Sequence, residues 1–112
     1  MAAGTYNFTL EQGSTFSRQI TVQENSTALN LSGYTARMQM RSTHDSSTIA
    51  LTYTSTIASP ASNGKINLSA TATQTAAIEE GIYVYDLEIE SSGGEVTRLM
   101  EGQVTVTPEV TR

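Results

Sequence analysis

The chain has 112 residues, enough for one domain around one modest core, and only 15% of them are charged. A net charge of −5, with six Lys and Arg against eleven Asp and Glu, excludes a phosphate backbone or an anionic membrane as partner, because both need clustered cations. The absence of cysteine excludes disulfides, thiolate metal sites and a cysteine nucleophile.

Met1-Ala2-Ala3-Gly4-Thr5 has neither the basic nor the apolar region of a signal peptide. No run approaches the roughly 18 apolar residues of a membrane span. Asn-x-Ser/Thr triplets start at Asn7, Asn25, Asn30 and Asn67, and without a secretion signal they read as coincidence in a Ser/Thr-rich chain.

Tyr6 to Leu10 alternates apolar and polar residues, the pattern of a half-buried strand, and Glu11-Gln12-Gly13 breaks it. Ser14 to Gln23 alternates again. Phe16, Ile20 and Val22 share one face, with Arg18 the only charge among them. Residues 24–30 read as a polar loop. From Tyr34 to Arg41 the alternation is nearly perfect: Tyr34, Ala36, Met38 and Met40 point one way, Thr35, Arg37, Gln39 and Arg41 the other. A polar loop, 42–47, holds the single histidine, His44. Thr48 to Thr54 forms the next expected strand, with Ile49, Leu51 and Tyr53 on one face.

Pro60 argues against a central strand over 55–62. Asn63-Gly64 is a strong hairpin signal leading into Lys65–Ser69. Residues 70–80 carry one large apolar residue, Ile78, and predict one or two helical turns. Gly81 then opens a long hairpin whose tip is Ser91-Ser92-Gly93-Gly94. One face of its first arm is Tyr83, Tyr85, Leu87 and Ile89. Val96, Met100, Val104 and Val106 should oppose them; Arg98 shares their parity, so either a bulge near Arg98-Leu99 resets the register or Arg98 reaches the edge. The sum is about seven short strands and no helix long enough for repeated crossovers. That predicts a single all-β domain over 1–112, an immunoglobulin-like antiparallel β-sandwich with one short helical turn near 70–80.

No catalytic constellation stands out. His44 lies beside Asp45 and several hydroxyls on one polar loop, which cannot supply the fixed geometry of a triad, and a lone histidine is a poor zinc site. Asp86, Glu88 and Glu90 share one strand face. Calcium wants six to eight oxygens from a shaped loop, so cross-strand pairing explains these acids better. Arg37 and Arg41 should face Asp86 and Glu88. Ile82 and Val84 fall on the same outward face and are the candidate partner contacts, although two exposed apolar residues on a strand are also ordinary. No cofactor, metal or small-molecule substrate is expected, and an enzyme is not.

The segments YNFTLEQGSTFSRQITVQ, LNLSGYTARMQMRS and GIYVYDLEIESSGGEVTRLMEGQVTVTPEVTR resemble small tailed-phage virion proteins, in particular the N-terminal domain of the phage baseplate upper protein. The resemblance implies an immunoglobulin-like structural module in the virion, assembled in the host cytoplasm. Its role would be a non-enzymatic tail, baseplate or fibre-docking adaptor that meets other virion proteins and copies of itself. Capsid decoration is the alternative and a carbohydrate-binding module the remoter one.

Overall fold

The fold is given by a computed structural model that describes residues 4–24 and 26–111. Asn25, which starts one of the triplets, and the first three residues, part of the segment read against a signal peptide, lie outside the described residues. The described residues form ten strands: β1 (Gly4–Thr5), β2 (Phe8–Glu11), β3 (Phe16–Thr21), β4 (Gln23–Glu24), β5 (Thr27–Ala28), β6 (Thr35–Arg41), β7 (Leu51–Ile57), β8 (Lys65–Ala70), β9 (Gly81–Glu90) and β10 (Val96–Thr107). A helix, α1 (Ala72–Ala76), and a 3-10 turn at Ala61–Asn63 complete the described elements.

Eight strands make one curled sheet in the order β1-β10-β9-β6-β7-β8-β3, with β2 also pairing β10, while β4 and β5 form a separate small hairpin. β7 is the corner. Its first half pairs β6 through Tyr53 and Leu51, and its second half, Thr54 to Ile57, pairs β8. The sheet therefore folds over on itself into two layers, a sandwich-like arrangement. β1 and β2 run parallel to β10, so the strictly antiparallel immunoglobulin scheme does not hold.

The period-two pattern places the core between the layers. Leu10, Met38, Met40, Ile66, Leu68, Leu87, Ile89 and Val104 are all fully buried. Each such side chain contributes roughly 1.5–3 kcal/mol through removal from water. Tyr85 is buried beside them and Tyr83 half-buried. Thr71 caps α1: its side chain accepts from the Gln74 amide, and the Gln74 side chain accepts from the Thr71 amide. Buried Ile78 anchors the segment after the helix.

Three local expectations change. The strand expected over 48–54 runs Leu51–Ile57, leaving Ile49 exposed. Asn63-Gly64 closes no two-residue hairpin. It ends the 3-10 turn, and only Gly64 has positive φ, at 68°. A Cβ on Gly64 would stand 2.7 Å from the Val22 carbonyl oxygen and 2.8 Å from that of Leu29, so the site needs glycine twice over. The bulge forms between Arg98 and Met100, and it turns Met100 towards Leu87. The same bulge puts Val96 outward with Arg98, exposed rather than in the core.

Candidate functional site

The outward face of β6, β9 and β10 carries the charges. Arg37 stands opposite Glu88 and bridges Glu88 at 2.9 Å and Glu90 at 3.0 Å. Its guanidinium pKa is raised by the hydrogen bond it donates to Glu88. Arg41, by contrast, lies opposite Val84 and not an acid. It donates to the Ser46 carbonyl at 2.8 Å and to Gln39 at 3.1 Å, which ties down the 42–47 loop. Asp86 finds its cation on the other side: Arg98 bridges it at 3.5 Å and Glu101 at 3.3 Å. The expected pairing of Arg41 with the acids fails because the register sets Arg41 level with Val84, four residues from Glu88.

The Asp86 carboxyl is raised above its ordinary range, first by burial and then by Glu88 and Glu101, with Arg98 and His44 pulling the other way. Exposed His44 borders a shallow polar cleft of about 260 Å³ beside Asp86 and Glu101. Among the described residues, no group of three or more His, Asp or Glu is placed to hold a metal ion. Ile82 is 64% exposed and Val84 half-buried on this same face.

A different region has the features of a binding site. β2 and β3 lie at the open side of the folded sheet, one in each layer, and they do not pair with each other. The chain connects them through a turn in which the Ser14 amide donates to the Glu11 carbonyl. Beyond this turn the two strands lie in different layers, with an apolar cleft of about 230 Å³ between them. Tyr6, Phe8, Phe16, Ile20, Met38 and Met100 line it. Phe8 is its hub: its ring stacks on Phe16 at 5.3 Å and meets Tyr85 edge-on at 5.0 Å.

Arg18 sits at the mouth. It shares parity with Phe16 and Ile20, so its side chain turns to the inner face although it is exposed. The guanidinium carbon lies 5.5 Å from the Phe16 ring centre and 5.9 Å from that of Phe8. Among the described residues it donates one hydrogen bond, to the Tyr6 hydroxyl at 3.0 Å, and forms no ion pair.

Tyr6 is held in place with unusual care. Its amide donates to the Glu101 carbonyl, and its own carbonyl accepts from the Tyr85 hydroxyl. Next to it, Asn7 Oδ1 accepts from the Gln103 amide at 2.9 Å. Gly102 makes this approach possible, since a Cβ there would run into the Tyr6 carbonyl. Burial and the neighbouring Tyr6 push the Tyr85 hydroxyl up to about 12.

The free edge of β3 runs along this cleft. Val22 donates to Gly64 on the β8 side, and β3 pairs β8 from Phe16 to Thr21 in regular antiparallel register. Alternate residues of an antiparallel strand bond to alternate sides. Phe16, Arg18 and Ile20 therefore direct their amides and carbonyls to β8, and Ser17, Gln19 and Thr21 direct theirs outward, where no strand of the described residues pairs with them. The sequence showed Arg18 as a lone charge on an apolar face. What it could not show was that β3 would be an edge and its inner face a cleft.

No protein-family model and no curated protein matches the chain. Among solved structures, the fold is similar to that of CopC from Methylosinus trichosporium OB3b, with a TM-score of 0.51 and 12% identity over 100% of this chain and 90% of that one. The likeness is one of fold. It overturns the expected role as a tailed-phage virion component, whether tail adaptor or capsid decoration: the fold leads to CopC, and neither of the other comparisons returns a phage protein.

Proposed function

We propose that this protein is a binding module, not a catalyst, and that it takes an extended segment of another polypeptide onto the free edge of β3. One observation carries the reading: the outward amides and carbonyls of Ser17, Gln19 and Thr21 run beside an apolar cleft. An edge strand of this kind is a template for strand addition, in which main-chain hydrogen bonds give affinity and alternate side chains give selectivity. A second copy of this chain suits the edge poorly. Antiparallel self-pairing about Gln19 would set two Arg18 side chains diagonally on one face, a repulsive arrangement.

Amide hydrogen exchange tests the reading. In the isolated chain the Ser17, Gln19 and Thr21 amides exchange fast while those of Arg18 and Ile20 are protected. Gln19→Pro removes an outward donor without touching the β8 ladder, since proline is tolerated on the open side of an edge strand. That variant keeps its fold and loses strand addition. Protection of all five amides in the isolated monomer would sink the proposal.

A further inference from the structure

Resting on the strand-addition reading, we infer that the segment accepted by β3 carries an acidic residue opposite Arg18, flanked at two residues on either side by apolar side chains. The motif is apolar-x-acidic-x-apolar. A strand laid on the free edge alternates its side chains with those of β3, so every second one faces inward. Three inward positions of β3 are relevant: Phe16, Arg18 and Ile20. Residues opposite Phe16 and Ile20 meet the apolar cleft, whose 230 Å³ equals roughly eight waters of liquid volume. That is room for one or two aliphatic side chains and not for a large ligand. The residue opposite Arg18 meets a guanidinium with five N–H donors. Among the described residues only one of these is used, by the Tyr6 hydroxyl, and no carboxylate bridges the group.

The contrast with the rest of the chain sharpens the point. Arg37 and Arg98 each bridge two carboxylates, and Arg41 is occupied by Ser46 and Gln39. In a chain of net charge −5, Arg18 is the arginine of the described residues held against aromatic rings and a phenol. Two rings and Tyr6 hold its guanidinium at the cleft mouth, so little side-chain freedom is lost when a carboxylate arrives. The motif reads the same in both directions, so it holds for parallel and antiparallel addition.

Three blocked peptides test this, with valine-threonine-X-threonine-valine at the centre and X as glutamate, glutamine or lysine. Each is titrated into the nitrogen-15-labelled full chain, and amide and arginine Nε shifts are followed. The glutamate peptide is expected to shift the Ser17, Gln19 and Thr21 amides together with the Arg18 Nε signal. The glutamine peptide should bind up to about fivefold more weakly, and lysine more weakly still. Arg18→Gln, whose circular dichroism shows whether the fold is kept, should erase the difference between glutamate and glutamine, and Arg18→Lys should keep part of it. Equal binding of glutamate and glutamine peptides overturns the acidic requirement and leaves strand addition standing. No shift at the three outward amides with any peptide overturns both. A wild-type chain that sediments as a dimer, with Gln19→Pro a monomer, makes the occupant a second copy and also overturns the inference.

Discussion

Tyr85 joins the inner face of β9 to the segment that carries Tyr6. Its hydroxyl, buried and facing the Tyr6 carbonyl, ionises only near 12. An unfolded tyrosine ionises near 10. The folded state therefore holds its proton where the unfolded state has lost it, and stability falls as pH rises from about 10 towards 12. Buried Tyr53, whose hydroxyl lies 3.6 Å from Met40 Sδ, is shifted the same way. Urea melts at pH 9 and pH 11 should show the loss, and Tyr85→Phe should show less of it. At neutral pH the same substitution costs about 1 kcal/mol, the hydrogen bond to Tyr6 being gone. Gly102→Ala acts on the same contact from the other strand. It forces Tyr6 and Asn7 away from β10 and costs on the order of 1–3 kcal/mol, read as a lower urea midpoint. Asp86 runs opposite to the usual carboxylate. Its pKa is raised on folding, so its charge opposes folding above that pKa and the opposition fades as pH falls through it. Asp86→Asn should raise the melting temperature at pH 7, with the gain vanishing below about pH 4; a lower melting temperature at pH 7 would mean that the Arg98 bridge outweighs burial.

Strands whose two faces differ sharply were the easiest to read. β6 and β9 alternate without a break, and Met38, Met40, Leu87 and Ile89 went inward as the pattern required. Arg98 at an apolar position left two ways out, a reset of register or a place at the edge, and the reset is the one that forms. The same reset moved Val96 to the outer face, a consequence that parity alone concealed. Partner choice was not legible. Nothing in a period of two says that β2 will lie parallel to β10, or that β7 will divide its hydrogen bonds between two neighbours. The Arg41 position shows the same gap: its face was right, but its partner depended on a register that only the assembled sheet defines. Gly64 is the clearest element-level test. Gly64→Ala meets both a positive φ and two carbonyls, so it should destabilise by more than the roughly 1 kcal/mol of backbone strain alone, seen in a denaturant melt.

At the level of the whole molecule, two surfaces divide the work. The face formed by β6, β9 and β10 spends its charges internally, through Arg37, Arg98 and their acids. These bridges are exposed and worth little each; Arg37→Ala should lower the urea midpoint only slightly, and less in high salt. The seam between β2 and β3 keeps an edge, a cleft and a cation unspent. A strand there would turn an open curl into a more nearly closed one, and partner binding should raise the melting temperature with partner concentration.

β2 finds its ladder in β10, which lies nearly the whole chain away. On a ribosome, β1 and β2 emerge long before the surface they will rest on exists. They wait without β10, with Phe8 and Leu10 uncovered, until the β9–β10 hairpin is out of the exit tunnel. Such non-local closure slows folding into roughly the millisecond-to-second range and leaves the early segment open to wrong partners meanwhile. The emergence of β10, more than any local propensity, times the birth of the site at Arg18, because Tyr6 cannot be set in place before Glu101, Gly102 and Gln103 arrive to hold it.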